Sequence, residues 1–477
     1  MYGYRLACLT AVFFVLGAAA HAATAKIAGD RMLEVDGKRT FVIGLYENPG
    51  DDAILQEVAE AGVNLVHASA DKAALDRLHA HHLRAWINTG YNIDFSENQA
   101  ARQAGLEKMA GDFGGHPALL VWEVPDEALW NCFYRATQWR RGEEPAQLRA
   151  KIAELEDDAL QTELREMMQR SSDLWEKGLY AESEETANAV WQKLGQESPQ
   201  PDFGISNAPE RAAKMCAGML QGYEFLKKTD PNHPVWMNHA PRNQLNQLAA
   251  FNRAADIVGC DIYPVREFET GHSDLAERTL AAVGAYTDRM QAAALGKVGW
   301  SPDKPVWMVL QGFGWRDLSD NPDPDPEKGR RPTLEETRFM AYDAIVHGAR
   351  GILYWGTYRI EKDSQLWRDL LTVIGELNAL QPVLSAPDAS GEFPVTIAET
   401  FGSVDRGIRI LPKAVSGKTW FLVVNDWTDP LTYTIGGLDD FNGVRYVENY
   451  TEDEATVSDG KMTFTIPGQG VHVLIPE

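Results

Sequence analysis

The chain has 477 residues, 44% hydrophobic and 24% charged, proportions of a globular protein that exclude a disordered or fibrous one. Acidic residues outnumber basic ones by 69 to 45, a net charge of -24. Such a surface repels phosphate backbones, and no Lys/Arg cluster offsets it, which argues against a nucleic-acid partner.

The first residues read as an export signal: Arg5 precedes an apolar run from Leu6 to Ala20, and Ala20-His21-Ala22 supplies small residues for cleavage. Residues 1–22 are therefore set aside as a signal peptide, and the expected location is secreted or periplasmic. The run is too short and too rich in small residues for a membrane span, and nothing later supplies about 18 consecutive apolar residues. Cys8 leaves with the signal, so Cys132, Cys216 and Cys260 remain without CxxC spacing. They fit one disulfide plus a thiol, or three thiols, and they indicate no zinc site.

From Thr40 onward short β-branched runs alternate with amphipathic stretches, the rhythm of parallel strands covered by helices. The strands are Phe41 to Leu45, Asn64 to His67, Arg84 to Asn88, Leu119 to Glu123, Val235 to Asn238, Ile257 to Tyr263, Val306 to Gln311 and Gly351 to Trp355. Each is nearly continuously apolar, as a strand buried on both faces must be. The intervening segments, such as Asp52 to Ala61, Ala73 to His79 and Leu334 to His347, place apolar residues three and four apart. Eight such repeats predict a (β/α)8 TIM barrel over residues 23–381.

Two segments break the rhythm. Residues 138–200, with Leu148, Ile152, Leu155 and Leu160 at helical spacing, predict a helical insertion after strand four, on the face where such barrels carry their active sites. It either shapes the cleft or packs outside it. Beyond Pro382 the chain alternates in strand fashion (Arg406 to Leu411, Trp420 to Asn425, Val444 to Asn449, Met462 to Ile466, Val471 to Ile475), predicting a small C-terminal β-sandwich over 382–477 that braces the barrel.

Function in such a barrel is read at the C-terminal ends of the strands. There this chain places Glu47, Asn88, Trp122, Asp126, Glu127, Asn238, His239, Asp261, Tyr263, Gln311 and Trp355. Aromatic faces stack on pyranose rings while amides and carboxylates pair with hydroxyls, so the set suits a carbohydrate. His79, His81 and His82 end the second helix, away from that face. No Gly-rich phosphate loop, GxSxG elbow or HExxH motif occurs, so no cofactor or metal is expected.

Asp126-Glu127-Ala128, close behind Leu119-Leu120-Val121-Trp122, resembles the Asn-Glu-Pro signature of the large clan of retaining (β/α)8 glycoside hydrolases. Asp261-Ile262-Tyr263-Pro264 and the His347 to Gly351 segment leading to Trp355 resemble further landmarks, over roughly residues 35–380. The resemblance implies an O-glycosyl hydrolase with Glu127 as general acid/base. Burial and the charge of Asp126 would keep Glu127 protonated near neutrality. The chemistry needs a second carboxylate, which in that clan ends strand seven, where this chain has Gln311. Asp261 is the preferred replacement, with Glu47 as an alternative; Glu335 and Glu336 read better as capping residues behind Thr333. The remaining residues named above are expected to bind substrate. The rival expectations are a non-catalytic carbohydrate-binding barrel, prompted by Gln311, and an envelope scaffold docking through the insertion.

Overall fold

A computed structural model describes residues 23–265, 273, 275–294, 303–319, 329–399 and 407–477. The expected signal peptide lies outside the described residues. Eight parallel strands close a barrel in sequence order: Val42–Leu45, Leu65–Ala68, Arg84–Asn88, Leu119–Glu123, Val235–His239, Ile257–Ile262, Val306–Gln311 and Gly351–Trp355, the eighth pairing with the first. All eight coincide with the predicted runs to within a residue at either end.

Tryptophan fills the interior. The rings of Trp86 and Trp236 lie 5.4 Å apart and those of Trp236 and Trp307 5.5 Å apart, all three buried. Rings of this size fit because neighbouring interior positions carry no side chain. A Cβ on Gly351 would lie 2.8 Å from Trp307 Cδ1, and one on Gly259 only 1.6 Å from the Trp307 carbonyl oxygen. Above this layer sits Tyr46, its ring 5.4 Å from Trp86 and 5.5 Å from Trp236. The layer is the floor of the barrel mouth.

An antiparallel meander of Ala25–Ile27, Leu33–Val35 and Lys38–Thr40 precedes the barrel. Its tight turn, Asp36-Gly37, takes positive φ at both residues (50° and 79°), the geometry that matches strand twist in a two-residue hairpin. After strand four the chain runs through helix Ala128–Gln138, a wide turn at Trp139–Glu143, and helices Glu144–Ala153, Asp158–Glu176 and Tyr180–Lys193 before helix Ala208–Thr229 returns it to the barrel. The insertion has its own small core of Leu148, Ile152, Leu164, Val190 and Trp191. The buried ion pair of Arg140 with Glu144, at 2.9 Å, anchors it, and Glu144 also accepts from Trp191 Nε1.

The C-terminal domain packs a three-stranded against a five-stranded antiparallel sheet. Its strand Lys418–Asn425 is apolar on both faces: Phe421 and Val423 enter the core between the sheets, whereas Leu422 and Val424 join the barrel core. That double burial braces the barrel. Cys132, Cys216 and Cys260 are all free thiols, the second of the two predicted alternatives.

Because the Trp307 carbonyl leaves no room for a Cβ at position 259, Gly259→Ala is expected to cost about 3 kcal/mol or more by overpacking. Thermal melting of the purified variant checks this; an unchanged midpoint would contradict the account of the interior.

Candidate active site

A strand turns alternate side chains inward, so Trp86 and Asn88, Trp236 and Asn238, and Glu123 and Asp261 all face the barrel interior. Glu123 ends strand four and is buried. Its Oε2 accepts from Asn88 Nδ2 at 2.7 Å and Trp86 Nε1 at 3.2 Å, and its Oε1 lies 2.5 Å from Tyr46 Oη. The same hydroxyl lies 2.7 Å from Asp126 Oδ1. Tyr46 has one hydroxyl proton and two carboxyl neighbours, so one carboxyl must hold a proton and donate it to Oη. Burial, reinforced by the charge of Asp126, raises the Glu123 carboxyl to about 8 and makes it the protonated one.

The network continues across the mouth. Asn238 Nδ2 donates to Asp126 Oδ1 at 3.0 Å and lies 3.4 Å from Asp261 Oδ1. Asp261 is buried and hydrogen-bonded to Glu127. Two carboxyl groups can hydrogen-bond only if one is protonated. Burial and the neighbouring charges of Glu127 and Asp126 hold Asp261 well above the usual carboxylate range, while burial and Asp126 raise Glu127 to about 7, against the lowering effect of its bond to Asp261. Burial also raises Asp126, but its side chain keeps an exposed edge in the cleft, so desolvation acts on it less than on enclosed Asp261.

Glu127 takes a left-handed conformation (φ 49°, ψ 34°) immediately before helix Ala128–Gln138. A non-glycine residue there carries strain of about 1–2 kcal/mol. The carboxyl makes no capping bond to the helix, which leaves it to the mouth and Asp261. Its backbone N–H donates to the Asn238 carbonyl at 3.3 Å, tying the turn to strand five.

Glu47 follows strand one. Thr357 Oγ1 and the Tyr358 N–H donate to its Oε1, while Oε2 is buried without a partner among the described residues. Burial, partly offset by those bonds and by Lys362, raises it to about 7. Aromatic rings complete the mouth: Trp355 stacks on Tyr263 at 5.4 Å and contacts Phe313 and Tyr358. Tyr358 after strand eight, Tyr91 after strand three and Tyr134 on the helix after strand four are exposed, with Trp130 stacked on Tyr134.

Of the residues expected from sequence, Glu127, Asp261, Asp126, Asn238 and Asn88 form one hydrogen-bonded network with Glu123 and Tyr46; Glu47, Tyr263 and Trp355 lie on its other side. Three expectations are corrected. Trp122 faces outward, buried, with Nε1 on Asp230 Oδ2 at 2.8 Å. His239 also faces outward, bonded to Asn252 at 2.9 Å, and burial lowers it to about 4. Gln311 is fully buried and its amide is saturated by backbone: Nε2 donates to the Val265 and Phe313 carbonyls at 2.8 and 3.0 Å, and Oε1 accepts from the Val265 N–H at 2.9 Å. Gln311 clamps the segment after strand six to strand seven and is not available to substrate. Glu336 forms the expected capping box with Thr333. Glu123, Tyr46, Tyr91, Trp130 and Tyr134 were not singled out from sequence; period-two alternation, which sends Trp122 and Glu123 to opposite faces, was the available signal for Glu123.

No protein-family model and no curated protein matches the chain. Solved structures share the fold. A protein described as a glycoside hydrolase aligns with TM-score 0.51 and 12% identity over 95% of this chain and 97% of its own. The family 42 β-galactosidase Gan42B of G. stearothermophilus gives 0.51 and 10% over 95% and 99%. A family 5 glycoside hydrolase of Bacteroides vulgatus gives 0.50 and 12% over 95% and 93%. The fold is thus a glycoside hydrolase-like (β/α)8 barrel with a C-terminal β-rich domain.

A glutamine at position 123 reproduces the protonated carboxyl, its amide donating to Tyr46 and its carbonyl accepting from Trp86 and Asn88. The folded pKa of Glu123 is raised, so the native state retains a proton that the unfolded chain has released. The stability this contributes is full below about 4.5 and is lost as pH rises through about 8. Glu123→Gln is therefore expected to gain in melting temperature on wild type over that interval and to hold the gain above it. Thermal melts at pH 4.5, 6, 7 and 8.5 test this; a difference independent of pH would contradict a protonated Glu123.

Proposed function

We propose that the protein is an exported glycoside hydrolase that cleaves O-glycosidic bonds of an oligo- or polysaccharide with Glu127 as general acid. The observation that carries the reading is a carboxyl group at the barrel mouth, after strand four, held protonated near neutrality by burial and by the charge of Asp126, which outweigh the lowering effect of its bond to Asp261. Export rests on the leader-like segment Arg5 to Ala22. The exposed aromatic residues around the mouth favour a sugar over a charged small molecule.

Asp261 is hydrogen-bonded to Glu127, so the two carboxyls do not flank a scissile bond as the pairs of retaining and inverting enzymes do. In this reading Asp261 acts as a positioning residue that shares the proton. Glu47, across the mouth after strand one and with a free buried oxygen, is the second carboxylate, which attacks or activates water once ionised. A second reading, a barrel that binds sugar without cleaving it, is favoured by Gln311 standing where the clan's strand-seven carboxylate would be.

Hydrolysis of a panel of aryl glycosides and oligosaccharides, with proton NMR of the released anomer, separates the two. The acid mechanism predicts that Glu127→Gln and Glu47→Gln each lower turnover by about a hundredfold or more. It also predicts a narrow bell in kcat/KM centred near pH 7, falling above it as Glu127 loses its proton and below it as Glu47 gains one. Sugar binding without cleavage across the panel would support the non-catalytic reading.

Backbone saturation of Gln311 yields a separate expectation. Gln311→Glu gives up two donors and sets a carboxylate against the Val265 and Phe313 carbonyls, so it should destabilise the fold by about 2 kcal/mol or more and leave turnover no higher. A gain in hydrolysis by this variant would show that position 311 reaches substrate.

A further inference from the structure

Away from the mouth, where the barrel meets the C-terminal domain, three side chains converge that the proposed reaction does not use. Asp343 and His347 lie one turn apart on helix Leu334–Val346 and its C-cap, and Asp426 follows strand Lys418–Asn425. Asp343 is wholly buried, and the side chains of His347 and Asp426 are nearly so. One donor atom from each lies within 4.8 Å of the others. We propose that Asp343, His347 and Asp426 form a divalent metal site, best matched to Zn2+, that fastens the C-terminal domain to the barrel.

The distances favour an ion over a salt bridge. His347 Nε2 is 3.4 Å from Asp343 Oδ1 and 3.5 Å from Asp426 Oδ2. A protonated imidazole bonded to carboxylates sits about 2.7–2.9 Å from them. Tetrahedral zinc with bonds of about 2.0–2.1 Å sets its ligands about 3.4 Å apart. His347 Nε2, Asp343 Oδ1 and Asp426 Oδ1 are buried with no hydrogen-bond partner among the described residues. Buried carboxylates without partners are expensive, and Asp343 and Asp426, each with an unpaired buried oxygen and both beside the imidazole, call for a cation.

The surroundings match the support a metal-bound histidine receives. His347 Nδ1 faces Asp288 Oδ1 at 3.0 Å, which fixes the ring with Nε2 toward the two aspartates, where a bound ion would displace the proton that the three carboxylates otherwise hold on the ring. Asp343 Oδ2 accepts the Gly284 N–H at 2.6 Å, fixing the carboxylate with Oδ1 toward the site. A Cβ on Gly284 would lie 2.5 Å from Asp343 Oδ1 and 2.6 Å from His347 Cδ2, so glycine is what lets that helix close over the pair. Arg409 Nε, 3.6 Å from Asp426 Oδ2 on a half-exposed side chain, is a competing cation among the described residues. An imidazole with two carboxylates suits zinc or manganese; calcium and magnesium prefer oxygen alone. A water can supply the fourth ligand.

The test uses the full chain, freed of metal by chelator dialysis and titrated with ZnCl2 by calorimetry, with metal content of the refilled protein by mass spectrometry. The expected result is one Zn2+ per chain, a raised melting temperature, at least hundredfold weaker binding in Asp426→Asn and His347→Gln, and about 10–100-fold weaker binding in Asp288→Asn, which removes only the support of the ring. Asp426→Asn and Asp288→Asn retain side-chain volume at the domain edge, so folded variants remain for the comparison should His347→Gln fail to fold. Wild type that takes up no Zn2+, or binding equally tight in Asp426→Asn, would overturn the proposal.

Discussion

Like charges confined in a poorly solvated space must take up protons or find a counter-ion, and the mouth of this barrel is arranged around that constraint. Glu123, Asp126, Asp261 and Glu127 are joined through Tyr46, Asn238 and direct contact into one chain of hydrogen bonds. No cationic side chain hydrogen-bonds to that chain among the described residues, so its protons hold it together. Tyr46 has one proton for two carboxyls, and Asp261 touches Glu127; each contact fails if all four groups ionise. The titration of any member therefore belongs to the group as a whole.

The rest of the barrel holds that arrangement in place. The Trp86, Trp236 and Trp307 layer closes the floor, with Gly259 and Gly351 making space for it, and the indole of Trp86 reaches up to Glu123. Gln311 holds the segment after strand six against strand seven through three backbone bonds, which explains an amide where a carboxylate would be repelled by two carbonyls. Strand Lys418–Asn425, buried on both faces, passes the rigidity on to the C-terminal domain. The same principle, charge excess resolved by a cation, accounts at that junction for Asp343, His347 and Asp426.

The barrel was legible in the sequence because doubly buried strands are continuous apolar runs, and all eight stand where those runs are. The N-terminal meander was not, since its three-residue strands carry no periodicity. Glu127 and Asp261 were readable from their places at strand ends. Trp122, His239 and Gln311 were misassigned for one reason: nearness to a strand's end says nothing of which face a residue takes or whether its polar atoms are already satisfied. Glu123 was passed over for its neighbour Trp122 on the same ground. The Asp343, His347 and Asp426 cluster had no sequence signal, because its ligands come from a helix and a distant strand rather than from a spaced motif.

The central claim is that Glu127 keeps its proton into the neutral range. Titration of wild type and Glu127→Gln by 13C NMR of labelled side-chain carboxyl groups addresses it directly. The account predicts a resonance, absent from the variant, that moves with an apparent midpoint near pH 7. If every carboxyl that the variant lacks or shifts has titrated below pH 5, the mouth holds no acid at neutrality and the proposed mechanism is wrong.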